Sequence, residues 1–202
     1  MAEVNVSVIY YSATGNVHKL AERAAQAAEK AGAEVRLRKV HELAPEEAIA
    51  SNEGWSQHRL ETADLPEATA DDIVWADAVL FGTPTRYGNV AAQLKQFFDT
   101  LGPQWQAGEL ANKVYSGFVS TATAHGGQET TLIAMANSFY HFGGIIVPPG
   151  YTDPSKFQDG NPYGASNISG GSTEPSEQDL TAVAYSATRA TTIAAQLKRG
   201  RQ

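Results

Sequence analysis

Three short stretches of the chain carry residue types from which a ligand site can be built. The first is Ser12-Ala13-Thr14-Gly15-Asn16-Val17, with two hydroxyls, a glycine and an amide but no lysine or arginine. It follows the apolar run Val8-Ile9-Tyr10-Tyr11 and precedes an amphipathic stretch. A strand, tight loop and helix in that order aim backbone N–H groups from the positive end of a helix dipole, which makes a receptor for a phosphate. The second stretch is Gly82-Thr83-Pro84-Thr85-Arg86-Tyr87-Gly88-Asn89. Here Gly82 and Gly88 allow the backbone to approach a flat ring closely. The third, Ser120-Thr121-Ala122-Thr123-Ala124-His125-Gly126-Gly127, offers small side chains and hydroxyls, so a planar group would fit between it and the second. Trp105 stands where it would wall such a pocket.

Each of these residues also has a plainer reading. Ser12, Thr14 and Asn16 suit an ordinary helix N-cap as well as a phosphate. Tyr10, Tyr11, Phe97 and Phe98 read as core. Trp105 suits packing or a subunit interface, Arg86 an ion pair, and His125 a solvated loop. His141 falls near a helix C-terminus, where the dipole favours it whatever its role. Rival phosphate sites fail on their residues: there is no G-x-x-x-x-G-K-[ST], and no G-x-G-x-x-G after the first strand. No aspartate closes that strand, which weighs against a phospho-acceptor domain, and no G-x-S-x-G elbow is present. No His, Asp and Glu cluster has metal-ligand spacing, so no metal site is expected.

The elements that must position these loops follow from hydrophobic period. Val4, Val6, Val8 and Ile9 make a buried strand. Val17, Leu20, Ala21, Ala24, Ala28 and Ala31 make one helical face, stopped by Gly32. Val35, Leu37 and Val40 alternate with charges as a second strand. A strand, helix and strand this close in sequence form a parallel, right-handed βαβ unit. Residues 41–68 show no sustained period and read as a long loop. Thr69-Ala70-Asp71-Asp72 has capping-box spacing and opens a short helix through Trp75. Ala78–Phe81 is a third strand, and Leu94, Phe97, Phe98 and Leu101 mark a helix. Val114–Val119 is a fourth strand, a helix through Phe142 follows, and Ile145–Val147 is a fifth strand. Residues 148–175, rich in Pro, Gly, Ser and Asn, read as a second long loop. Ser176-Glu177-Gln178-Asp179 starts the last helix. The expectation is one domain over 1–202: an α/β three-layer sandwich with a five-stranded parallel sheet and helices on both faces. In such sheets ligands sit at the carboxyl ends of the strands, where strand order reverses, and the three loops would converge there.

Bulk properties narrow the partners. The chain has 202 residues, 42% hydrophobic and 18% charged, ordinary globular values. A net charge of −7 argues against nucleic acid and against an anionic membrane surface. Cysteine is absent, which excludes disulfides, a thiol nucleophile and a zinc-thiolate site. No signal peptide or membrane-spanning run is evident, so a cytoplasmic location is expected.

The chain resembles the WrbA family of flavodoxin-like NAD(P)H:quinone oxidoreductases. The matches are Tyr10-Tyr11-Ser12 with Gly15, Phe81 through Asn89, Ser120-Thr121 with Gly126-Gly127-Gln128-Glu129, His141, Val147-Pro148, and Pro162-Tyr163-Gly164-Ala165 with Gly170-Gly171. The resemblance implies sheet order 2-1-3-4-5, FMN as cofactor, and two-electron reduction of quinones by NADH or NADPH in a ping-pong cycle. It also implies a homotetramer, or at least a homodimer. By resemblance, Ser12, Ala13, Thr14, Gly15, Asn16 and Val17 hold the FMN phosphate, and Pro84, Thr85, Arg86, Tyr87 and Gly88 lie along the ring system. Ser120, Thr121, Ala122, Thr123, Ala124, His125 and Gly126 line its other edge, with His141 also in the pocket. Trp105 would meet the quinone. Thr14 stands on the nicotinamide side, where family members often carry an aromatic. A flavodoxin-type electron carrier or a flavin-binding regulator is the alternative.

Overall fold

A computed structural model describes residues 4–171 and 174–200. In chain order the elements are β1 (Val4–Tyr10), α1 (Asn16–Lys30), β2 (Ala33–Lys39), α2 (Glu46–Ala50), α3 (Glu53–Glu61), α4 (Ala70–Trp75) and β3 (Ala78–Pro84). They continue as α5 (Ala92–Asp99), α6 (Gly102–Gln106), β4 (Val114–Thr121), α7 (Gln128–His141), β5 (Ile145–Ile146), α8 (Pro154–Asp159), β6 (Ala165–Ile168) and α9 (Glu177–Gly200). The sheet is parallel in the order β2-β1-β3-β4-β5, with β6 also paired to β4.

Strand β1 is buried on both faces, and its period of two divides the core. Val4, Val6, Val8 and Tyr10 pack with Leu20, Ala24 and Ala28 of α1 and with Val183, Ala187 and Ala190 of α9. Ile9 and Tyr11 join Ile73, Leu94, Phe98, Leu132 and Phe139 on the opposite face. The alanine-rich stripes let α1 and α9 lie close together. Gly32, at φ 90, ends α1 as its spacing requires, its N–H bonding Glu29 O at 2.8 Å. The Thr69–Asp72 capping box is present. At Ser176 the same reciprocal bonds form with Asp179.

Three expectations are corrected. The sheet has a sixth strand. Strand β5 pairs with only Val114 and Tyr115, whereas β6 pairs with Phe118 through Thr121. Without β6 the second half of β4 would have no ladder on the edge away from β3, and the polar sequence Ala165-Ser166-Asn167-Ile168 hides the strand that supplies it. The 41–68 stretch contains helices α2 and α3, the latter capped by Asn52, whose Oδ1 accepts from Trp55 N at 3.0 Å. Both are too short for a periodic stripe to show. The 148–175 stretch holds α8 as well as β6. Asp153 caps α8, Pro154 lies in its first turn, and Gly160 ends it at φ 77. Inside this excursion Lys156, fully buried, forms an ion pair with Asp159 and donates to Gly164 O at 3.1 Å. No helix among the described residues is long and apolar enough to cross a membrane.

Candidate ligand site

At the carboxyl ends of β1, β3 and β4 the three loops surround a cavity of about 390 Å³, within the range of small-molecule sites. Ser12, Ala13, Thr14, Asn16 and Val17 line it from the first loop, Pro84, Thr85 and Arg86 from the second, and Ser120, Thr121, Ala122, Thr123 and Gly126 from the third. The convergence expected from the topology is present.

The start of α1 is not a side-chain cap of the ordinary kind. The N-cap position is Gly15, at φ 100, and no side chain caps the helix. Instead Ser12 Oγ accepts from Gly15 N at 3.1 Å, which folds the loop into a tight turn. The first turn of α1 carries no acid, as in α5, α6 and α8, so no side chain of its own offsets its dipole.

The second and third loops are fixed to each other. Thr85 N donates to Ser120 O at 2.9 Å, and the Thr85 and Thr131 hydroxyls are 2.5 Å apart. Arg86 and Asn89 exchange backbone bonds of 2.8 and 3.0 Å around Tyr87 and Gly88, both at positive φ (53 and 78), which makes a type I′ turn. A Cβ on Gly127 would lie 2.9 Å from Gly88 Cα. Gly88 therefore serves the contact between loops rather than an approach to a ring. Gly82 likewise makes room for a protein ring: a Cβ there would lie 2.3 Å from Phe118 Cε2. Arg86 donates to Thr85 O at 3.0 Å rather than to a carboxylate. On the β6 side Ser120 Oγ donates to Asn167 Oδ1 at 2.7 Å, and Gln128 Nε2 holds Thr121 Oγ1 at 3.0 Å.

Some expected residues lie outside this cavity. Gly15 is buried in the turn behind it, Tyr87 projects into solvent, and Gly88, Ala124 and His125 do not line it. His141 sits at the far end of α7 from the third loop, about 20 Å away at 1.5 Å rise per residue. Trp105 is beside it, its Nε1 donating to His141 O at 2.7 Å, and both are exposed. Conversely, Asn52, Trp55 and Ser169 line the cavity without having been singled out from sequence. The Asn52-Glu53-Gly54 cap signal was the available clue for the first two. A second cavity of about 270 Å³ adjoins, sharing Ser12 and Trp55 and lined also by Tyr11, Glu42 and His58.

Glu42 ties the α2–α3 segment to the site. Its Oε2 accepts from Tyr11 Oη at 2.9 Å and Trp55 Nε1 at 3.0 Å, and its Oε1 from Gln93 Nε2 at 2.7 Å. Burial opposes its charge, but the bonds from Ala44 N, Gln93, Tyr11 and Trp55 outweigh burial and hold the carboxyl below its ordinary value. Burial, then the Glu42 charge, raises Tyr11 far above the usual phenol, so it stays a donor. Nearby, Tyr10 Oη and His18 Nδ1 are 2.5 Å apart, and the His18 ring lies against that of His58. Burial, and then the charge of His18, pushes His58 down to about 4.

Fold and site together define a flavodoxin-like α/β protein with a cavity at the carboxyl ends of β1, β3 and β4. The NADPH-dependent FMN reductase family matches residues 4–158, and the chain belongs to that family, on its WrbA-like branch. A relative from Deinococcus radiodurans, named NAD(P)H dehydrogenase (quinone), is 44% identical over 84% of this chain and 86% of its own length. One of the same name from Methylocella silvestris is 42% identical over 96% and 98%. Among solved structures, the flavodoxin, WrbA-like protein from Agrobacterium tumefaciens superposes with a TM-score of 0.69 at 26% identity, covering 96% of this chain and 99% of that one.

Proposed function

We propose that this protein is an FMN-dependent NAD(P)H:quinone oxidoreductase. The observation that carries the reading is the single cavity in which the uncapped start of α1 and the slot between the second and third loops meet. The residues fit FMN. The Ser12–Val17 loop receives its phosphate through amides and hydroxyls, and Pro84, Thr85 and Arg86 with Ser120 through Gly126 border its ring system. Bound FMN supplies the hydride chemistry. The chain's own part is to hold the phosphate, fix the ring by its clamped second and third loops, and leave one opening for both substrates. One shared opening favours a ping-pong order.

Trp105 and His141 take part in this reading only through a second copy of the chain, since each is remote from its own cavity and exposed. That supports a homo-oligomer, a tetramer or a dimer, in which one copy's Trp105 and His141 complete another's site. Tyr87, exposed on its turn, belongs to the rim that such a neighbour would meet.

The test is direct. The purified protein should be yellow or bind added FMN, and should consume NADH or NADPH when benzoquinone is present. FMN binding without nucleotide consumption would replace the enzyme reading with that of an electron carrier.

A further inference from the structure

Among the described residues lining the main cavity, Trp55 provides the one aromatic side chain. The rest of the wall is small or hydroxylic, apart from Arg86 and the amides of Asn16 and Asn52. A site that brings flat redox partners together thus has one surface on which a second ring can stack. That surface comes from the α2–α3 segment, not from any of the three loops at the strand ends.

The indole is built in rather than adventitious. Its backbone N–H is held by the Asn52 cap at 3.0 Å. Its Nε1 donates to Glu42 Oε2 at 3.0 Å, which satisfies the ring's polar atom and leaves an apolar plane. Glu42 is in turn held by Tyr11 at the end of β1 and by Gln93 in α5, so the ring is anchored to the sheet through two elements. The first turn of α3 also lies against the phosphate loop: a Cβ built on Gly54 would be 3.9 Å from Thr14 Cγ2. Trp55 is half-buried and borders both cavities, standing as a partition between them.

We propose that Trp55 is the stacking wall for the planar ring of the second substrate, nicotinamide or quinone, and that Glu42 is the residue that positions it. The α2–α3 segment, rather than the strand-end loops, then sets which ring is accepted. This rests on the FMN reading above, and ring stacking on an indole is the chemistry shared by both substrates.

The experiment uses FMN-loaded wild type, Trp55→Ala, Trp55→Leu and Trp55→Phe. Oxidised NAD and benzoquinone, neither of which reacts with oxidised flavin, are titrated separately and followed by the change in the visible flavin spectrum. FMN itself is titrated into each apoprotein. Loss of a stacking partner should weaken a bound probe about tenfold in Trp55→Ala and Trp55→Leu. Trp55→Phe should stay within about threefold, since a phenyl ring still stacks. FMN affinity should hold within about twofold in all, because the phosphate loop and the slot are untouched. Weakening of NAD alone, of benzoquinone alone or of both identifies the ring that stacks. The proposal is overturned if neither probe changes, or if FMN affinity is what falls. Trp55→Leu and Trp55→Phe keep the test open should Trp55→Ala fail to fold. A wild type that binds FMN but consumes no nucleotide overturns the activity instead, which the spectral titrations do not depend on.

Discussion

Acid should loosen this protein through His58. The imidazole, carried on α3, is buried against the Ser12–Val17 loop, with Gly15 on one side and the His18 ring 5.1 Å away. Around it stand Lys39 and Lys19, which disfavour its charge, and Glu61, which favours it. His18 has Glu22 within 3.4 Å, yet burial still carries its own value below the ordinary one. In the unfolded chain His58 titrates near 6.5, whereas in the folded chain it titrates near 4. Its neutral form therefore supports folding fully above pH 6.5. As pH falls below that, the unfolded state takes up a proton that the folded state refuses. Stability then falls by about 1.4 kcal/mol per pH unit, or about 2 kcal/mol between pH 6.5 and pH 5. His18 acts in the same direction. Urea unfolding at pH 7 and pH 5 measures the loss. His58→Phe keeps a ring against His18 but cannot titrate, so its loss over the same interval should be smaller by about 2 kcal/mol. Equal losses in wild type and variant would refute the reasoning, as would an NMR titration placing His58 at 6.5 or above.

Other outcomes follow from the same structure. Replacing Lys156 by Met or Asp159 by Asn breaks a buried ion pair and should cost about 3–5 kcal/mol in urea unfolding at neutral pH. Gly82→Ala sets a methyl 2.3 Å from the Phe118 ring and 3.0 Å from Val17 Cγ1. It should destabilise by about 1–3 kcal/mol, read as a lower Tm, and should also disturb the Ser12–Val17 loop. Ser12→Ala with Thr14→Ala removes the hydroxyl that accepts from Gly15 N and its neighbour. A weaker FMN affinity of the apoprotein is expected, and unchanged affinity would remove these hydroxyls from the phosphate site.

The central βα units were legible because their signals are redundant. In β1 and α1 the apolar period, the stop at Gly32 and the loop composition agree on the same boundaries. The capping boxes at Thr69 and Ser176 are local in sequence and formed as written. Strand β6 was not legible, because its reason for existing lies in β4: the edge that β5 leaves open there recruits Ala165–Ile168 despite their polarity. The helices of the 41–68 stretch were hidden by their shortness. In the site, the lining residues of the first loop could be read directly, since they are contiguous. For Trp55 the Asn52 cap signal could show the helix that carries it, but not that Glu42, thirteen residues earlier, would hold its ring at the cavity. His141 shows the reverse case. It follows the third loop closely along the chain, but a helix turns that separation into distance.

The divided edge of the sheet has a consequence for how this chain can change. Ile145–Ile146 and Ala165–Ile168 are sewn independently to β4, and the excursion between them returns to the same edge. The excursion is itself fastened by the buried Lys156–Asp159 pair and by the Lys156 bond to Gly164 O, so the places open to a change of length are its exposed turns, such as Tyr151–Thr152. Variation between lineages, or insertion of a foreign segment by design, has its natural opening there.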